Sequence, residues 1–360
     1  MLPSLESCRG EWQERLAESI DRGWFILGEE VAAFEREFAS FCGARFAVGV
    51  GCGTDALEIA LRLSGVTRRE QEVITSALSA PFTAQAILAA GATPVFADID
   101  PETLLLGPGR VEELITPRTA AILPVHLYGQ AGHLETMRRL ADGAGAVLIQ
   151  DACQAHGVVY EDRPLSAYSS LVAYSFYPTK NLGCLGDGGA LLAGDPEQDR
   201  LARLLRDGGR AEGHLSLIPA LNSRLDEIQA ALLRVFLRHL PAWNLARVRL
   251  AAIYDQELSP LPPDCLRPVG LDRRSSHVRH LYVVRAQRRD QLREYLAARG
   301  IGTGIHYAVP LHRQPAFRTQ TACPHAERAA TEVCSLPLWP FMGEEQARLV
   351  SGEIRKFYLG

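Results

Sequence analysis

The chain predicts an α/β fold with a mostly parallel sheet covered by helices, and three observations carry that expectation. Strand-like and helix-like segments alternate from about residue 46 to 195, the pattern that layers helices on both faces of such a sheet. Its 360 residues exceed the ~150 of an average domain, and 47% hydrophobic content supplies a large core. Past residue 207 the alternation gives way to a long helical pattern and a shorter mixed region, so a smaller α+β domain should follow. The division is expected at 244/245, with a large domain over 1–244 and a small one over 245–360.

The N-terminus carries Glu6, Glu11 and Glu14 where a signal peptide needs basic and then apolar residues, and no apolar run approaches the ~20 residues of a membrane span. A cytoplasmic protein is expected. Candidate strands are Phe46 to Val50, Glu72 to Ser76, Thr93 to Asp98, Ala120 to Leu127, Ala146 to Asp151, Leu171 to Tyr177 and Gly189 to Ala193. Helices are expected between them at Thr54 to Leu63, Phe82 to Ala90, His133 to Ala141 and Glu197 to Arg206. A polar loop, Asp207 to Asn222, should lead into a long amphipathic helix with Leu225, Ile228, Leu232 and Val235 at helical spacing. Proline and charge mark Ser259 to Arg274 as an irregular linker. Strand His280 to Arg285, helix Arg289 to Arg299 and strand Ile301 to Tyr307 complete the reading.

A formal net charge of -4 offers no basic face for nucleic acid. The eight cysteines are scattered without a C-x-x-C pair, which suits reduced thiols rather than disulfides or zinc. Chemistry is concentrated elsewhere. Of 38 basic residues only Lys180 and Lys356 are lysine, and only an amine can shift its pKa readily and act as a nucleophile. Lys180 follows the apolar run LVAYSFYPT and opens the glycine-rich NLGCLGDGG, so a strand delivers it into a tight loop. A lysine in a turn is more often a solvated surface charge, and its neighbours must decide.

Ligands of such sheets bind outside the carboxyl ends of the strands. Gly51-Cys52-Gly53-Thr54 follows the first strand and opens a helix, where free N–H groups favour phosphate, although such a turn also serves as a plain connection. Asp151 ends another strand and heads DACQAHG. It could simply cap a helix, with Gln154 at capping-box spacing. A lysine about thirty residues after an aspartate, with a strand between, is also the pair that pyridoxal 5'-phosphate (PLP) requires, one for its aldehyde and one for its ring nitrogen.

Together the segments GWFILGEEVAAFEREFA, AVGVGCGTDALEIAL, AGATPVFADID, ILPVHLYGQ, QDACQAHG, SFYPTKNLGCLGDGGA, NSRLDEIQAALL and GIHYAVPLH resemble the DegT/DnrJ/EryC1/StrS aminotransferases in the order that family presents them. The resemblance implies the fold type I architecture of PLP-dependent transferases and amino transfer from glutamate to a nucleotide-linked keto-deoxysugar, with the 3-keto position favoured. It implies Lys180 as the Schiff-base lysine, Asp151 as partner of the pyridine nitrogen, and Gln154 near the phenolic oxygen. Gly53, Thr54 and Ser175 would hold the phosphate, and Cys153 would lie against a ring face. Asn222 would reach the phosphate from a second subunit, which makes the active unit a homodimer with shared sites.

Tyr177, Arg224, His306 and Tyr307 are the substrate-side candidates. Each has a structural alternative: a strand-end anchor for Tyr177, a helix-start ion pair for Arg224, a small-domain core pair for His306 and Tyr307. His156 is left between structural donor and catalyst. Where relatives carry an aromatic-containing segment over the ring, this chain has Ser79-Ala80-Pro81-Phe82-Thr83-Ala84, so the stacking residue is unassigned. Two alternatives differ in kind. One is a PLP-binding regulator or sensor, and the other is a different PLP reaction such as sugar dehydration, against which the lysine argues.

Overall fold

The computed structural model describes residues 2–211 and 215–360, so part of the expected loop from Asp207 to Asn222 lies outside the described residues. Thr93–Ala97, Glu72–Ser76, Thr119–Leu123 and Val147–Leu148 pair in that order, all parallel. At Ile149 the last strand changes neighbours. Ile149 N–H still bonds Ile122 O, whereas Gln150 N–H bonds Leu171 O, and Gln150–Asp151 lies parallel to Val172–Ser175. Gly189–Ala193 then runs antiparallel both to Val172–Ser175 and to Phe46–Val50. One reversed strand in an otherwise parallel sheet is the expected architecture.

Period-two side chains explain why these strands read as continuous apolar runs. Leu191 and Ala173 face the core under the helices Gly53–Leu63, Pro81–Ala90 and Pro196–Arg206, while Ala190, Leu192, Val172 and Tyr174 face the opposite core under Glu29–Phe41 and the long helix. Farther along, Ile74, Ile122 and Leu148 pack against Pro108–Leu114 and Leu134–Ala144. Both faces are covered.

The long helix is Glu227–Leu258. Leu232, Val235 and Phe236 join the large core, and Tyr254 and Leu258 join the small one, so one helix threads both. Leu225 precedes the helix instead of lying on it, and Ile228 is exposed, which corrects the expected stripe. The supposed linker contains Leu266–Pro268, edge strand of a three-stranded antiparallel sheet completed by Tyr282–Ala286 and Val333–Leu336. Pro268 is tolerated there because an edge strand has donors to spare.

No strand forms over Ile301 to Tyr307. Gly304 makes a single bridge to Ser335 and the chain then turns at His306 and Tyr307. The N-terminal helices Arg9–Arg22 and Glu29–Phe41, and the later Pro324–Glu332 and Glu344–Leu359, were not read from the sequence. All eight cysteines are free. Among the described residues no helix is long and apolar enough to cross a membrane.

Candidate active site

Loops leaving the carboxyl ends of three strands converge on Lys180. The Val172–Ser175 strand is followed by a tight turn in which Lys180 N–H donates to Tyr177 O at 2.8 Å. Glycine is needed just beyond, because a Cβ on Gly183 would lie 2.8 Å from Pro178 O. Lys180 is half-buried. Burial pushes its ammonium below the ordinary lysine value, opposed by the Cys153 thiol and the Asp151 carboxylate beside it.

Asp151 ends the adjoining strand and is 5% exposed. Thr83 Oγ1 donates to its Oδ2 at 2.8 Å and Cys153 N–H to its Oδ1 at 3.1 Å, which fixes the carboxylate while leaving lone pairs free. Gln154 is held at both ends. Its Oε1 accepts from Tyr128 N–H at 2.7 Å and its Nε2 donates to Tyr307 Oη at 3.2 Å. Tyr128 Oη donates to His306 O, so the turn carrying His306 and Tyr307 is latched onto the loop that follows Thr119–Leu123. His306 Nδ1 meets Ser335 Oγ at 2.8 Å.

Burial pushes the Tyr307 phenol up to about 12 and holds His306 below the ordinary histidine value, with Lys180 adding to the latter. Burial also drives the Cys153 thiol well up. His156 lies fully buried against Tyr174 and Phe176 with neither ring nitrogen partnered among the described residues, and burial followed by Lys180 lowers it to about 3. A histidine so placed is neutral.

The Gly51–Thr54 turn completes the cluster. Helix Gly53–Leu63 starts without a side-chain cap, so its first-turn N–H groups are left for a ligand. A Cβ on Gly53 would come within 2.7 Å of Ser175 Cβ and 2.8 Å of Cys153 Sγ, which places turn, strand end and Asp151 loop in contact. Ser223 Oγ braces the turn, accepting from Gly51 N–H at 2.9 Å and donating to Asp55 Oδ2 at 2.5 Å.

Lys180, Asp151, Cys153, Gln154, Ser175, Gly53, Thr54, His306 and Tyr307 therefore gather at one place. Tyr177, Asn222 and Arg224 do not close onto it within this chain. The Tyr177 side chain is 52% exposed, Asn222 is exposed, and Arg224 pairs with Asp207 at 2.9 Å, the ion-pair alternative left open above. Sequence reasoning missed Thr83 and Tyr128. The signal for Thr83 was the Ser79–Ala84 segment, where Phe82 is exposed and the threonine does the inward work. Tyr128 carried none, since its backbone N–H and its hydroxyl both act on partners distant in sequence, Gln154 and His306.

This arrangement fits PLP on its own geometry: an uncapped helix start for phosphate, a buried carboxylate for a ring nitrogen, and an amine beside that carboxylate. A model of the DegT/DnrJ/EryC1/StrS aminotransferase family matches residues 6–355. The chain belongs to that family. This aminotransferase is 44% identical over 356 residues to the dTDP-3-amino-3,4,6-trideoxy-alpha-D-glucose transaminase of Streptomyces venezuelae, covering 98% of this chain and 93% of that protein. It is 40% identical to a pleiotropic regulatory protein of Geobacillus stearothermophilus, over 98% of this chain and 96% of that one. A crystal structure of S. venezuelae DesV in complex with a ketimine intermediate matches with a TM-score of 0.96 and 42% identity, covering 99% of this chain and 97% of that one. The fold is that of PLP-dependent aminotransferases.

Proposed function

We propose that this chain binds PLP and transfers an amino group from glutamate to the 3-keto position of a nucleotide-linked keto-deoxysugar. The observation that carries the reading is the desolvated amine of Lys180 beside the buried, doubly hydrogen-bonded Asp151. The sugar and its 3-position come from the S. venezuelae relative's printed name.

PLP supplies, when bound, a sink for the electron pair left as a proton departs from a carbon next to nitrogen. Asp151, held ready by Thr83 and Cys153 N–H, would keep the ring nitrogen protonated. Gly53, Thr54 and Ser175 would hold the phosphate, Gln154 the phenolic oxygen, and Cys153 would line one ring face. Lys180 Nζ, whose burial favours the neutral form relative to a free lysine, would take the proton from the donor's Cα and later return one to the sugar carbon. Tyr307, protonated at neutral pH, and neutral His306 would orient the sugar. Tyr177 and Arg224 would meet it from the open side.

That side suits a second copy. Trp24, Phe25 and Ile26 are exposed at 64%, 47% and 37%, and Ile26 bridges Asp226 close to Asn222. We infer a homodimer in which Asn222 serves the partner's phosphate site, a cytoplasmic location, and a division of the chain at 244/245. A regulatory protein that binds the cofactor without turnover is the second reading, favoured by the name of the Geobacillus relative. The two separate in one assay. With glutamate and no sugar, the transaminase releases 2-oxoglutarate stoichiometric with bound cofactor and then aminates an added 3-keto-sugar nucleotide; absence of both products leaves the regulatory reading standing.

A further inference from the structure

A recess of about 340 Å³ lies between the loop carrying Lys180, the long helix and the segment Leu338 to Phe341. Of the cofactor cluster only Lys180 also lines it, so it is a neighbouring space rather than the same one. Among its polar lining residues, which include Lys180 and Asn181, is Arg247, 8% exposed. Only Nη1 is hydrogen-bonded, to the carbonyls of Leu338, His280 and Arg279 at 3.1, 3.4 and 3.5 Å. Nε and Nη2 have no acceptor, and no carboxylate pairs with this guanidinium among the described residues.

Other buried arginines differ. Arg206 pairs with Glu35 and Arg285 with Glu332, as expected when an uncompensated charge in low-dielectric surroundings is costly. The rings of Phe236, Trp243, Trp339 and Phe341 form an aromatic part of its wall, the last edge-on to Trp243 at 5.8 Å, and Pro3 and Ser4 of the N-terminal segment also line it. A forked cation accepts a planar carboxylate through parallel N–H groups, and aromatic walls cover a short hydrocarbon body. We propose that this recess is a binding site for a small carboxylate, held by the free edge of Arg247. Two sources could supply it: the amino donor, in which case the site deepens the transaminase reading and rests on it, or a carboxylate that is not consumed and acts through the Lys180 loop.

Glutarate is the probe, because it has two carboxylates and neither amine nor ketone to transfer. Titrated into the cofactor-loaded protein, it should bind saturably by calorimetry and alter tryptophan fluorescence, since Trp243 and Trp339 flank Arg247. Arg247→Met should weaken binding roughly thirtyfold or more. Arg247→Lys, which keeps the charge and loses the fork, should weaken it less, and Trp339→Phe should bind while giving a smaller fluorescence change. Inhibition competitive with glutamate assigns the site to the donor, and non-competitive inhibition assigns it to an unconsumed carboxylate. No saturable binding to the wild type, or unchanged affinity in a natively melting Arg247→Met or Arg247→Lys protein, overturns the proposal. Failure of the transaminase reading would instead appear as absent 2-oxoglutarate with glutarate binding intact.

Discussion

Lys180 does two things that pull in opposite directions: it must be buried enough to lose its proton and mobile enough to carry one. Burial lowers it from the ordinary lysine value of 10.5, so the neutral, proton-accepting form persists to lower pH than for a free lysine. The single-turnover rate with glutamate should therefore rise with pH along a limb centred below 10.5 and fall on acidification; a limb at or above that value would mean the amine is not desolvated. Lys180→Ala and Lys180→Arg should each lose at least about 10²-fold in turnover with an unchanged melting curve. Asp151→Asn should weaken cofactor binding and slow both halves of the reaction, and undiminished activity would remove it from the ring nitrogen. These residues were legible because lysine is scarce here and both sit at strand ends. The Ser79–Ala84 segment pointed to the place of Thr83 but not to its role, which comes from a 2.8 Å contact across 68 positions of sequence.

Elements explain how those side chains stay in place. Phe46–Val50, Glu72–Ser76 and Gly189–Ala193 were read to the residue because buried strands have sharp polar or glycine ends. The expected strand from Ile301 to Tyr307 failed because apolar spacing cannot register that Gly304 makes one bridge before a turn. Two elements give tests. Gly53→Ala would push a Cβ to within 2.7 Å of Ser175 Cβ, costing about 1–3 kcal/mol by overpacking and weakening cofactor retention, as spectrophotometric titration would report. The Glu227 carboxylate accepts from Gly28, Glu30 and Val31 N–H at 2.9, 2.9 and 2.8 Å, pinning helix Glu29–Phe41 to the long helix. Glu227→Ala should lower stability by about 2–4 kcal/mol in denaturant melts.

On the scale of the molecule, the chain presents a nearly complete cluster and leaves Asn222 and Arg224 outside it. Mixed dimers of Lys180→Ala with an inactive Asn222 variant should recover about a quarter of wild-type activity if Asn222 serves the partner's site, since half the dimers then hold one intact site of two; no recovery would place it in its own site. The mostly parallel sheet covered on both faces followed from alternation in the sequence, but the strand order and the threading of both cores by Glu227–Leu258 did not, because alternation does not say which strands pair and a helical stripe does not say which core it faces. The central claim has a direct test, made simple by there being only two lysines. Reduction of the cofactor-loaded protein with borohydride, followed by peptide mass mapping, should find the pyridoxyl adduct on Lys180. An adduct on Lys356, or none at all, would contradict the account.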